Sequence, residues 1–195
     1  ICLFLILTIG VSHGALDNIK GKKLLKIFNF EGIYIFYIIY IFIALSVIFI
    51  WLLFPAATLL IFLSVAAFHF GKEDTQFLIN KKSYIIQLLY LLKGLLIILA
   101  PLFFHFDDTV KIFKSLLVVN ESFYLFLEFL EEKKIIEIAI ILSSLSSIFL
   151  FIDKFELKKF VIFFDYFSII ILNYYFAPLT AFTIYFCFLH SVRHS

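Results

Sequence analysis

Five histidines carry most of the chemistry this chain can offer: His13, His69, His105, His190 and His194. Imidazole is the commonest protein metal ligand and changes charge near neutral pH. An ionisable group set in an apolar run is costly to keep there and is a functional hypothesis by default. His190 and His194 stand four residues apart in HSVRH. On a helix that spacing puts both on one face, about 5–6 Å apart at Cβ, within reach of a single ion. His13 lies in SHGALD and His69 in FHFGKED. Each ends an apolar run, and each is followed shortly by glycine and then by an aspartate, Asp17 or Asp74. One histidine in such a place can simply hydrogen-bond a neighbouring helix, so the case for chemistry rests on the set.

The elements that must position these residues are set by composition. The chain has 195 residues, 64% hydrophobic and 15% charged, with a mean hydropathy of +1.12. Soluble domains are about 45–50% apolar and about 25% charged. That gap excludes a soluble enzyme, a nucleic-acid-binding domain and a disordered segment, and a net charge of +2 implies no polyanionic partner. At about 20 residues per crossing, the expectation is an all-α, polytopic transmembrane bundle of about seven spans plus one amphipathic interfacial segment. It forms a single membrane-embedded domain over 1–195. The chain opens without methionine inside an apolar run and closes at HSVRHS, so it reads as a fragment with both termini incomplete. Cys2 and Cys187 lie in apolar runs and read as small buried hydrophobes.

The spans are expected at 1–11, 33–53, 56–70, 83–106, 135–152, 160–177 and 178–194. Pro55 splits a 40-residue stretch without Asp, Glu, Lys or Arg, Gly32 to Gly71, into two spans joined by a tight turn. The segments 17–31, 72–82 and 153–159 read as polar loops. Lys93 and Pro101 interrupt the fourth span, and Lys93 either snorkels or faces the bundle interior. Residues 111–134 mix lysines and glutamates with dense apolar residues and read as an interfacial segment, a genuine crossing being the alternative.

Topology then sorts the histidines. Counting crossings puts His13 and His69 at one side of the membrane and His105 at the other, about 30 Å away, so His105 is not expected among the ligands. With 111–134 interfacial, His190 and His194 join the first side. That side then carries Lys20, Lys22, Lys23, Lys26, Lys72, Lys81, Lys82, Lys154, Lys158, Lys159 and Arg193, against Lys111, Lys114, Lys133 and Lys134 opposite. The positive-inside rule makes it cytoplasmic. Measured from Pro55 and Pro178, His69, His190 and His194 all fall roughly 20 Å into their helices. Four imidazoles at one depth suit iron, zinc or copper. Asp17 and Asp74 are candidates to orient ligand imidazoles through the second ring nitrogen, or else are ordinary helix caps or loop ends.

VSHGALD, FHFGKED and YFCFLHSVRH, in this order and separation, resemble the Brp/Blh family of bacterial β-carotene dioxygenases, from residue 12 to residue 194. The resemblance implies oxygen-dependent cleavage of β-carotene at its central 15,15′ double bond, giving two molecules of all-trans-retinal. It implies non-haem Fe(2+) held by His13, His69, His190 and His194. It further implies a multi-pass protein of the bacterial inner membrane, with O2 and β-carotene as substrates and its retinal supplied to a rhodopsin. No catalytic residue beyond the metal ligands is expected. An apolar cleft reached from lipid would take the carotenoid, with Tyr174, Tyr175, Phe176, Tyr185 and Phe186 among the rings able to line it. The residues alone also allow a membrane metal- or haem-binding protein, or a transporter, without oxygenase activity.

Overall fold

A computed structural model describes residues 1–14, 17–28, 30, 32–79, 83–116, 118–152 and 156–191, with only the backbone of 10–14 and 17–20. The described residues are helical, with no strand among them. The order is α1 (Cys2–Gly14), α2 (Asp17–Ile27), α3 (Ile33–Leu53), α4 (Pro55–Glu73), α5 (Tyr84–Phe104), α6 (Phe106–Ser115), α7 (Glu121–Glu132), α8 (Ile135–Ile152), α9 (Phe160–Tyr175) and α10 (Pro178–Ile184). The last continues directly into a π-helical turn, Tyr185–His190. Short 3-10 turns occupy Gln76–Leu78 and Leu157–Lys159.

Four helices are long and apolar enough to cross a membrane: those beginning at Ile33, Pro55, Tyr84 and Ile135. α1, α9 and α10 with its π turn are apolar but shorter, so length supports four crossings directly rather than seven. The expected loop 17–31 is corrected by α2, which is helical because its lysines are good helix formers and Leu25 finds a buried position. The fourth span, expected at 83–106, is α5. α5 runs unbroken through Lys93 and Pro101. Pro101 lies in its last turn, where its carbonyl accepts the His105 N–H and the Thr109 hydroxyl. Segment 111–134 is two helices, α6 and α7. With 10 and 12 residues, neither spans about 30 Å at 1.5 Å per residue.

Phe54 alone links α3 to α4, and Pro55 takes the first helical position, where its missing N–H costs nothing. None of α3 is buried; its side chains, Ile, Phe, Tyr and Leu for the most part, need lipid around them. The densest packing is between α4 and α5. A Cβ built on Gly71 would collide with the Tyr90 carbonyl oxygen, and one on Gly94 with the Ala67 carbonyl oxygen. Ala67 and Gly71 on α4 thus meet Tyr90 and Gly94 on α5, in the small-residue packing that draws membrane helices together. On the next helix, Ser143, Ser146 and Ser147 of α8 are buried, and the Ser143 hydroxyl points at the Lys93 carbonyl, 3.5 Å away.

Three apolar clusters follow one another along this frame. One joins Leu59, Leu102, Phe113, Phe123 and Ile136 at one end. The second joins Leu78, Ile86, Tyr90, Leu150 and Ile162 at the other. Between them, Phe70, Leu96, Ala100, Ile169 and Tyr185 form the third. Along α5, Lys93 falls between the second and third clusters, and the polar site is built at that level.

Candidate metal centre

Four elements converge on one buried carboxylate. Asp74 caps the C-terminus of α4 and is 1% exposed. Its Oδ1 lies 2.8 Å from Nδ1 of His190. The Tyr185 hydroxyl donates to its Oδ2. Lys93 of α5 places Nζ 3.9 Å from the same oxygen and 3.8 Å from Oδ2 of Asp165 on α9. All five groups are buried. An ionised carboxylate only accepts hydrogen bonds, so His190 donates from Nδ1, and Nε2 is the nitrogen that would face a metal.

His69 sits at the edge of this arrangement. Its ring centroid is 5.8 Å from that of His190, with the planes at 65°. A first-row metal bonds imidazole nitrogen at roughly 2.1 Å, which sets two rings sharing an ion roughly 4.5–6.4 Å apart, depending on the angle. The observed pair falls inside that window. The donor chemistry fits as well: an imidazole anchored through Nδ1 by a carboxylate is the common arrangement for a metal ligand. His190 is 1% exposed, whereas His69 is exposed, so one ligand would be fixed in the protein and the other would border the surrounding medium.

α1 packs beside α10 and its π turn. Cys2 Sγ is 3.8 Å from Thr180 Oγ1 near the start of α10, and α1 stays in contact with the helix as far as the π turn. The side chains of His13 and Asp17, and all of His194, lie outside the described residues. Among the described residues, no three His, Cys, Asp or Glu groups gather as a ready-made metal cluster. His105 is placed elsewhere. It joins α5 to α6, eleven residues beyond Gly94, roughly 16 Å further along the helix.

Aromatic rings crowd one flank of the site. Phe182 and Phe186 stack at 5.7 Å and 8°, and Phe186 stacks on His190 at 6.1 Å and 18°. Phe70 meets His190 edge-on at 4.7 Å. Of the rings considered as cleft lining, Tyr185 and Phe186 are at the site, whereas Tyr174, Tyr175 and Phe176 are exposed at the far end of α9.

Three polar members of the site have different standing in the sequence. Lys93 is resolved in favour of the bundle interior. Asp165 was legible as a lone acid in FVIFFDYF, which the rule for charges in apolar spans would have singled out. Tyr185 was not legible as a polar partner, because its spacing of five from His190 matches no α-helical face.

The family model described as "Beta-carotene 15,15'-dioxygenase" matches residues 4–195. A curated protein of that name from Uncultured marine bacterium 66A03 is 30% identical over 199 residues, covering 98% of this chain. The chain spans 66% of the length of that relative. No solved structure matches. With almost its entire length matched, the chain belongs to the beta-carotene 15,15'-dioxygenase family.

Proposed function

We propose that this chain carries the metal centre of a membrane-bound, iron-dependent oxygenase that cleaves β-carotene at its central 15,15′ double bond with O2, giving two molecules of all-trans-retinal. Beside the family match, the observation that carries this reading is the meeting of His69, His190 and Asp74 at the ends of apolar helices. His13, His69, His190 and His194 are the proposed ligands of Fe(2+). Bound ferrous iron with an open position supplies the binding and activation of dioxygen.

The chain's own residues do the rest. Asp74 fixes the His190 ring and its tautomer through Nδ1. Lys93 balances Asp74 and Asp165, which would otherwise be two buried like charges. β-Carotene has no polar atom, so its site must be apolar. The stacked run Phe182, Phe186 and His190 offers a flat surface that ends at the metal ligand. The exposed apolar faces of α3 and α4 support a site within a bilayer, from which the substrate could enter without crossing water. Four long helices and three shorter apolar ones would make up the bundle. The lysine distribution puts the histidine end at the cytoplasmic face of the bacterial inner membrane. Retinal leaving into lipid would be available to a rhodopsin.

The test is expression in a bacterium that accumulates β-carotene, with its pigments separated by chromatography. Wild type should deplete β-carotene and form retinal, and His69→Ala should do neither. Retinal formation unaffected by His69→Ala, or carotene left intact by the full-length gene with iron supplied, would contradict the proposal.

A further inference from the structure

Tyr185 and His190 open and close the π turn. In an α-helix, residues five apart point about 140° away from each other. A π turn, closed by i→i+5 hydrogen bonds, winds more slowly and brings such residues onto nearly the same face. Here both reach one carboxylate. The Tyr185 hydroxyl takes Oδ2 of Asp74, and the His190 imidazole takes Oδ1. Tyr185 is 3% exposed and packs against Phe70 in the central apolar cluster. A hydroxyl in that setting needs a buried acceptor, and the carboxylate beside the metal ligand is the acceptor it has.

We infer that Tyr185 is a positioning residue for His190, acting through Asp74. With Tyr185 and Lys93 on Oδ2 and the imidazole on Oδ1, the carboxylate is oriented so that the ring is held with Nε2 turned to the metal. The π turn is the local device that makes this possible. Wound as an α-helix, the segment would carry Tyr185 and His190 to different faces. This inference rests on the metal-centre reading above, and it goes beyond that reading by giving Tyr185 a role distinct from lining the carotenoid cleft.

The experiment uses the purified full chain in detergent, stripped of metal and titrated with Co(2+) against a chelating dye. Tyr185→Phe should bind Co(2+) about tenfold more weakly while keeping its helical circular dichroism, the size of loss typical of partners behind a ligand. In an Asp74→Asn background the same change should add nothing, because the route to the metal is already cut. A merely structural hydroxyl would lower the thermal midpoint without this coupling. If Tyr185→Phe does not fold, 4-fluorophenylalanine inserted at 185 fills the hydroxyl's place without donating, and the same loss is expected. Wild-type Co(2+) affinity in Tyr185→Phe, or full additivity with Asp74→Asn, overturns the inference and leaves the metal centre standing. A wild-type chain that takes up no Co(2+) overturns the metal centre, and the inference with it.

Discussion

Gly71→Ala perturbs the contact that sets the spacing of the whole site. The added methyl would meet the Tyr90 carbonyl and the Gly94 amide, both backbone groups that cannot rotate aside. Relief requires α4 to move away from α5 by about 2 Å, the difference between the 1.8 Å approach and ordinary van der Waals contact. Overpacking of this kind costs about 1–3 kcal/mol in a packed interior. For a chain of this length that corresponds to a fall of roughly 2–10 °C in thermal midpoint. The functional loss should exceed the loss of stability. Asp74 and His69 ride on α4 and Lys93 on α5, so the shift acts directly on the 3.9 Å Lys93–Asp74 pair and on the 5.8 Å spacing of the two imidazoles. A displacement of 1 Å in a catalytic constellation can cost about a hundredfold in rate. The assay pairs thermal unfolding in detergent with retinal formation from β-carotene, for Gly71→Ala and Gly94→Ala beside Val47→Ala on the exposed α3 as a control away from this contact. A Gly71→Ala chain with wild-type midpoint and wild-type turnover would refute the reasoning, since it would show that the two helices do not pack backbone to backbone.

Further expectations concern the buried charges and the polar links. Lys93→Met leaves Asp74 and Asp165 buried without their cation, and should destabilise the chain by about 3–5 kcal/mol in denaturant titration. Adding Asp165→Asn should restore much of that loss, because the second carboxylate is then neutral. Trp51→Phe removes the indole N–H bond to the Leu116 carbonyl, 2.9 Å long; about 1 kcal/mol should be lost, with faster hydrogen exchange confined to residues 116–120. Tyr166→Phe and Ser144→Ala each break the 2.9 Å bond between α8 and α9. Their double variant should be no worse than the worse single one, within about 0.5 kcal/mol, in a double-mutant cycle.

Much of the frame is written in the composition. The apolar runs 33–53 and 135–152, the second broken only by Glu137, coincide with α3 and α8, because a long apolar run has only one way to satisfy its backbone in lipid. The turn at Pro55 follows from the missing N–H. The convergence of His69 and His190 could be anticipated from the similar distances of the two histidines from Pro55 and Pro178. Other features are invisible to periodicity. α2 was read as a loop because lysine counts as polar in a hydropathy pattern, although it is a good helix former. Tyr185 escapes for a different reason. Its importance lies in which elements face each other, and in a π turn whose winding no α-helical template reproduces.

The central claim is that the histidines hold a metal, and iron content of the purified full chain tests it most directly. The chain should be prepared without air and measured by mass spectrometry of the metal, beside His69→Ala and His190→Ala. Near one iron per wild-type chain, with both variants close to zero and still helical, is the expected result. Equal iron in all three, or none in the wild type after reconstitution with Fe(2+), would contradict it.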